Sequence, residues 1–273
     1  MSSIPRLPPR DRRAILAGLT GITVLAWVYL FLEAARMEDM PGMDSASMAG
    51  MDSMTGMTGM LEIGAWSPSD FLLMFPMWVV MMVGMMVPTA VPMTLIYAAV
   101  GRKAAAQDSV LAPTFVFVSG YIAIWSVFSA GATTAQWGLD QAALLSPMMV
   151  SSSPQLGAAL LIGAGIYQLT PFKNVCLQHC RAPAEFFAWH WRPGVGGAFR
   201  MGLSHGAYCL GCCWILMGLL FVGGVMNLLW IALIAVFVLL EKILPFGDLG
   251  GKLGGAAMIV VGVLGLVGLI GLG

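Results

Sequence analysis

The sequence predicts an all-α membrane protein: a polytopic bundle of about seven transmembrane helices, with its N-terminus inside and its C-terminus outside. The 273 residues are 59% hydrophobic and only 10% charged, whereas a soluble domain carries about 25% charged residues. Apolar runs recur at lengths that can cross a bilayer. The formal net charge is zero, so the chain lacks the basic balance expected of a nucleic-acid-binding protein.

Seven apolar runs predict the seven spans. They are, in order, about Ala14–Leu32, Phe71–Tyr97, Ala112–Thr134, Pro154–Thr170, Met201–Gly223, Met226–Leu244 and Leu253–Leu272. The first is longer than the 7–15 residues of a signal-peptide core and no small-x-small cleavage site follows it, so we interpret it as an uncleaved anchor. The fourth is the shortest, and its helix is expected to extend before Pro154 and past Pro171.

The basic residues predict the orientation, because Lys and Arg concentrate in cytoplasmic loops. With the N-terminus inside, twelve of the thirteen Lys and Arg residues are cytoplasmic and only Arg36 is outside. Acidic residues favour the outside: Glu33, Glu38, Asp39, Asp44, Asp52, Glu62, Asp70 and Asp140.

A methionine-rich segment follows the first span and is predicted to be external. Its eight methionines, nearly all three residues apart, are Met37, Met40, Met43, Met48, Met51, Met54, Met57 and Met60. Thioether sulfur is a neutral, soft ligand that selects Cu(I), and a solvated linker normally avoids methionine. The segment is therefore predicted to capture Cu(I). The alternative is a low-complexity linker in which the methionines have no role.

The second span carries its own methionines along two neighbouring helical stripes. One stripe is Met74, Met77, Met81 and Met85, and the other is Met82, Met86 and Met93. Three prolines interrupt the same helix: Pro76, Pro88 and Pro92. A kinked, Met-lined helix suits a metal path or a buried site, but methionine also fills irregular helix packing. Both interpretations stay open.

All five cysteines fall in two groups, each with a histidine. The first group is Cys176, His179 and Cys180, and the second is His205, Cys209, Cys212 and Cys213. The second group lies on one side of the fifth span, and the first shares a face if the fourth helix continues past Pro171. A single cysteine is often a small apolar packer, but a histidine inside a span indicates function. Such a Cys/His site on the cytoplasmic side suits Cu(I) or Zn(II). His190, between two tryptophans, is predicted to be interfacial.

Glu241 is predicted near the depth of His205. It accepts the second ring N–H of a ligating histidine, or it pairs with Lys242 or an arginine at the membrane surface.

Three stretches resemble a bacterial family of predicted metal-binding integral membrane proteins, sometimes labelled copper chaperones. They are WVVMMVGMMVPTAVP, IYQLTPFKNVCLQHCRAP and GAYCLGCCWILMGLLFVGGVMNLLW, followed by the EK of the sixth span. They cover about Trp78 to Lys242. The resemblance implies a bacterial inner-membrane protein that binds metal through Met81, Met82, Met85, Met86, Cys176, Cys180, Cys209, Cys212 and Cys213.

The sequence therefore predicts a non-enzymatic membrane protein that handles Cu(I). Residues 1–36 form the cytoplasmic N-terminus and anchor, 37–69 the external Met-rich loop, and 70–273 a six-helix metal-binding domain. No P-loop or phosphorylated-aspartate motif suggests active pumping, so binding, transfer or delivery fits better. The expected partners are the metal ion, membrane lipid and a periplasmic or membrane metalloprotein, and not nucleic acid. The alternatives are a thiol–disulfide or electron carrier that uses the C-x-x-C of Cys209 and Cys212, and an assembly subunit of a membrane complex.

Overall fold

The computed structural model describes residues 7–38, 68–105, 111–142 and 153–270, and within these ranges the regular structure is helical throughout. The helices are α1 (Pro9–Glu38), α2 (Pro68–Ala105), α3 (Leu111–Gln141), α4 (Pro154–Gln168), α5 (Pro171–Arg181), α6 (Pro183–His190), α7 (Gly194–Gly218), α8 (Leu220–Gly223), α9 (Leu228–Ile243) and α10 (Gly247–Leu266). The predicted all-α fold class is confirmed.

Five of the described helical segments are long and apolar enough to cross a membrane: α1, α2, α3, the α7–α8 segment and α10. Large apolar side chains face outward on several of them, among them Leu25, Leu72 and Leu253, as expected of helices in contact with lipid. Helices α4 and α9 have 15 and 16 residues. At about 1.5 Å per residue they fall short of a hydrocarbon core of about 30 Å. Seven spans, and their orientation, stay a prediction.

The chain breaks between α4 and α5, and the expectation of one continuous helix is wrong. The side chain of Ser153 caps α4 at its start, and the side chain of Thr170 accepts the backbone N–H of Lys173 at the start of α5. Proline fits the first turn of a helix but cannot continue one, so Pro171 begins α5. The cysteines at 176 and 180 therefore lie on a separate short helix.

Glycines allow α3 and α7 to pack with their backbones in contact. A methyl group added at Gly202 would lie 2.0 Å from the Phe117 carbonyl oxygen, and one at Gly120 would lie 2.3 Å from the Phe199 carbonyl oxygen. Small residues permit such close approach between membrane helices. The contact fixes α7 against the helix that carries Tyr121.

Glycines also bring α4 and α10 together. A methyl group at Gly165 would lie 2.5 Å from the Gly255 carbonyl oxygen, and one at Gly262 would lie 3.0 Å from the Ala158 carbonyl oxygen.

Helix α1 packs on α2, where the Trp27 indole donates to the Gly84 carbonyl at 3.3 Å. The first helix is thus part of the packed bundle.

Two buried apolar clusters form the core. The sulfur-rich cluster contains methionines of α2 and cysteines of α5 and α7, together with Trp78, Tyr121 and Trp125. The aromatic cluster lies around Tyr97, Phe117 and Phe187 and includes Met93. The predicted second-span methionines therefore divide between two parts of the core.

Candidate metal centre

Cys209 lies at the centre of a contact between four helices. It lies near the middle of α7, because this helix begins at Gly194 rather than at the predicted Met201. Its sulfur lies 3.0 Å from the Tyr121 hydroxyl of α3 and accepts a hydrogen bond from the Lys242 ammonium of α9 at 2.8 Å. The Tyr121 hydroxyl also lies 3.1 Å from the Met86 carbonyl oxygen of α2. Polar groups of α3 and α9 thus contact one buried sulfur, and α2 contacts the first of them through the Met86 carbonyl.

The close packing of α3 on α7 explains the position of Tyr121. Gly206 faces α3, and a methyl group there would lie 2.9 Å from the Ile124 side chain and 3.2 Å from the Tyr121 carbonyl oxygen. One turn later on α7 comes Cys209. A larger residue at position 206 would therefore crowd α3 at Ile124 and Tyr121.

The cysteines of α5 reach those of α7. Cys180 packs against the sulfur-rich core that contains Cys209 and Cys212. The closeness of these two cysteines, together with burial, raises the pKa of the Cys180 thiol. A methyl group added at Gly211 would lie 2.9 Å from the Cys176 sulfur, so Gly211 makes room for Cys176. Burial, and then the proximity of Cys212, raise the pKa of Cys176. The two sequence groups of cysteines therefore form one cluster.

The remaining two thiols of α7 point back to their own helix. Cys212 and Cys213 both donate to the Cys209 carbonyl oxygen at 3.0 Å. Among the described residues, no group of three or more His, Cys, Asp or Glu side chains is arranged to hold a metal ion. Four of the five cysteines are buried and all are free thiols. The cysteines of α5 and α7 thus share one core, but the Cys212 and Cys213 thiols are hydrogen-bonded to the backbone rather than directed at a common point.

The methionines of α2 surround this cluster. Met77, Met81, Met82, Met85 and Met86 are each at most 4% exposed and belong to the sulfur-rich core. Met74 packs against the same core, and the Gln136 amide contacts its sulfur at 3.9 Å. The buried methionines of α2 therefore share one core with the cysteines. Met40–Met60 lie outside the described residues, and Met37 is at the end of α1.

The histidines have different surroundings. His205 is 3% exposed and stacks on Tyr121 with ring centroids 5.4 Å apart, and its Nδ1 has no hydrogen-bond partner in the described structure. His179 stacks on Tyr208, with Nδ1 2.8 Å from the Val175 carbonyl oxygen. His190 stacks on Phe186, whose carbonyl oxygen lies 3.1 Å from its Nδ1. Of the three histidines, all within the described ranges, only His205 combines deep burial with a ring nitrogen that has no hydrogen-bond partner.

Glu241 has a partner that the sequence did not indicate. Its carboxylate forms an ion pair with Lys173 of α5, and the two side chains are only 3% and 1% exposed. The predicted hydrogen bond from His205 is absent in the described structure, and so is an ion pair with Lys242 or an arginine. Gly251 of α10 permits this pair, because a methyl group there would meet the carboxylate at 2.2 Å. Both sequence-based interpretations of Glu241 are therefore corrected.

Sequence reasoning also missed the polar residues around Cys209. Thr89 and Lys242 lie inside the matched stretches and Tyr121 lies in an apolar run, but none of the three was predicted to face the cysteines. The position of Lys242 could have indicated a buried partner, because a lysine at the end of a long apolar span is costly to bury without one.

The sulfur-rich core agrees with the comparison of the chain with known proteins. A family model described as PpoB2, copper chaperone, matches residues 75–265. This range includes every cysteine of the chain and all the methionines of α2 except Met74. No curated protein and no solved structure matches. Because the match extends over more than two thirds of the sequence, the chain belongs to the PpoB2 copper chaperone family.

Proposed function

We propose that this protein is a membrane Cu(I)-handling protein, which gathers the ion at its external Met-rich loop, passes it along α2 and holds it at the cysteines of α5 and α7 for delivery to a partner. Membership of a copper chaperone family supports copper handling in general. The observation that carries the finer proposal is the common core of α2 methionines and α5–α7 cysteines.

The chemistry of the ligands gives the path a direction. Thioethers are neutral and bind Cu(I) weakly, whereas thiolates are anionic and bind it tightly. A Cu(I) ion that moves from the methionines to Cys209 would therefore be bound more tightly, and its free energy would fall. Affinity alone can drive this transfer, and a receiving metalloprotein would have to bind copper more tightly than the membrane site.

The site would form from thiols already in contact. Cys180 packs against the core that contains Cys209, and a change of one side-chain torsion would release Cys212 or Cys213 from the Cys209 carbonyl oxygen. His205 offers an unpaired nitrogen one turn away. Two or three of these ligands suffice for Cu(I). Zn(II) suits the same residue types, so the metal must be identified by measurement.

Metal analysis of protein purified under reducing conditions tests the proposal. The variants are wild type, Cys209→Ser and a deletion of residues 37–60. Serine is nearly the size of cysteine but a poor soft ligand, so Cys209→Ser should lose most of the membrane-site copper, while the loop deletion should keep it. Met85→Leu tests the path along α2, because Met85 shares the sulfur-rich core with the cysteines. Met93→Leu is its matched control, because Met93 lies in the aromatic cluster instead.

The same measurement separates the alternatives. A metal-free wild type with a titratable Cys209–Cys212 disulfide would favour the thiol–disulfide carrier and contradict the copper site. Zinc in place of copper would change the assigned metal. If Cys209→Ser kept its full copper content, the cysteines of α5 and α7 would not be the metal ligands.

A further inference from the structure

Lys242 extends from α9 to the cysteine cluster. Its ammonium donates to the Cys209 sulfur at 2.8 Å and to the Thr89 hydroxyl oxygen at 3.2 Å. The Thr89 hydroxyl itself donates to the Met86 carbonyl at 2.8 Å, which leaves its oxygen free to accept from Lys242. The ammonium is therefore fixed between α2 and α7, beside the proposed metal ligand.

No carboxylate balances this charge. The ion pairs of the described residues are Arg36–Glu33, Arg102–Asp11, Lys173–Glu241 and Arg181–Asp248, and Lys242 takes part in none of them. The neighbouring Glu241 is held by Lys173. Taking an ammonium out of water is costly unless an anion lies close to it. The sulfur of Cys209 is the contacting group that can supply a negative charge.

A copper–thiolate complex has the negative charge that would balance the Lys242 ammonium. Cu(I) binding requires each ligating thiol to lose its proton, which is released to solvent. One Cu(I) and two thiolates then carry a net charge of −1, and burying an unbalanced anion in the bundle is as costly as burying an unbalanced cation. With the ammonium in contact, the charges sum to zero. Lys242 is a hydrogen-bond donor and cannot be a metal ligand in this charged form.

We infer that Lys242 is the counter-ion of the copper–thiolate complex: its ammonium stays beside Cys209 and neutralises the negative charge that forms when Cu(I) binds. Lys242 is thus a positioning residue and determines which metal complexes the core accepts, namely those with a net charge of −1. The inference rests on the proposed function, because it requires copper at Cys209. The competing explanation is that Lys242 only cross-links α9 to Thr89 of α2.

The test is the Cu(I) affinity of detergent-solubilised full-length protein, measured by competition with a coloured Cu(I) chelator. The variants are Lys242→Gln, which removes the charge, and Lys242→Arg, which keeps it. Thr89→Val breaks the cross-link but leaves the charge, and Lys252→Gln removes an exposed lysine of α10 as a matched control. Circular dichroism checks that each variant is folded, and Lys242→Leu is a second neutral variant if the glutamine does not fold.

Loss of a hydrogen bond to a charged group should weaken Cu(I) binding by about 10- to 100-fold in Lys242→Gln. Lys242→Arg, Thr89→Val and Lys252→Gln should stay within about threefold of wild type, since each keeps the ammonium or guanidinium beside Cys209. Affinity within threefold of wild type in Lys242→Gln would overturn the inference, and so would an equal loss in Thr89→Val.

Failure of the proposed function can be distinguished from failure of the inference about Lys242. If wild-type protein has no Cu(I) binding that Cys209→Ser removes, the copper site itself is wrong. If that binding is present and Lys242→Gln leaves it unchanged, only the role of Lys242 is wrong.

Discussion

The buried ion pair between Lys173 and Glu241 gives the sharpest prediction about stability. The two side chains are 1% and 3% exposed, and they join α5 to α9 beside Gly251. Removing one partner of such a pair leaves an uncompensated buried charge and costs about 3–5 kcal/mol, whereas replacing both by apolar residues is often neutral. We therefore expect Glu241→Gln to destabilise the bundle by about that amount, and Lys173→Met with Glu241→Leu to recover most of the loss.

The assay is thermal or denaturant unfolding in detergent, with loss of helix as the signal. The exposed pair Arg36–Glu33 of α1 is the matched control, because the Arg36 side chain is 74% exposed. Arg36→Gln should cost at most about 1 kcal/mol. Glu241→Gln with wild-type stability would refute the reasoning, because the charge of Lys173 would then be stabilised by something other than Glu241. A double variant no more stable than the single variant would refute it equally, since the cost would then come from lost packing.

Two further predictions concern the glycine contact and the loop. Gly202→Ala should destabilise the protein by about 1–3 kcal/mol through overpacking against the Phe117 carbonyl, and should weaken copper binding because α3 carries Tyr121. Gly131→Ala, on the open face of α3, should leave the free energy of unfolding unchanged or raise it. Unfolding of the Gly202→Ala and Gly131→Ala variants side by side measures this difference. A synthetic peptide of residues 37–60 should bind Cu(I) but not Zn(II) in a titration, because its ligands are thioethers. Cu(I) binding no tighter than about millimolar would support the linker interpretation.

The sequence predicts the parts of this molecule that depend on hydrophobic length and on residue type. Apolar runs located the long helices but not the short α5 and α6, and the Met and Cys patterns on α2 and α7 identified residues that share a core. Helix boundaries were less predictable, because the apolar run through Leu169 and Thr170 hides the break that Pro171 and the Thr170 cap produce.

The polar interior was not predictable, for a physical reason. The rule that assigns Lys and Arg to cytoplasmic loops treats every basic residue as solvated, yet Lys173 is buried and Lys242 contacts a core cysteine. Such residues are stabilised by partners distant in sequence: Glu241 is 68 residues from Lys173, and Cys209 is 33 from Lys242. The convergence of Cys180 with Cys209 depends likewise on how α5 docks against Gly211.

Copper X-ray absorption on the Cu(I)-loaded wild-type protein, with Cys209→Ser beside it, tests whether the core cysteines hold the metal. We expect a copper shell dominated by sulfur in the wild type and its loss, together with most of the bound copper, in Cys209→Ser. A shell of nitrogen and oxygen only, or a sulfur shell unchanged in Cys209→Ser, would contradict it.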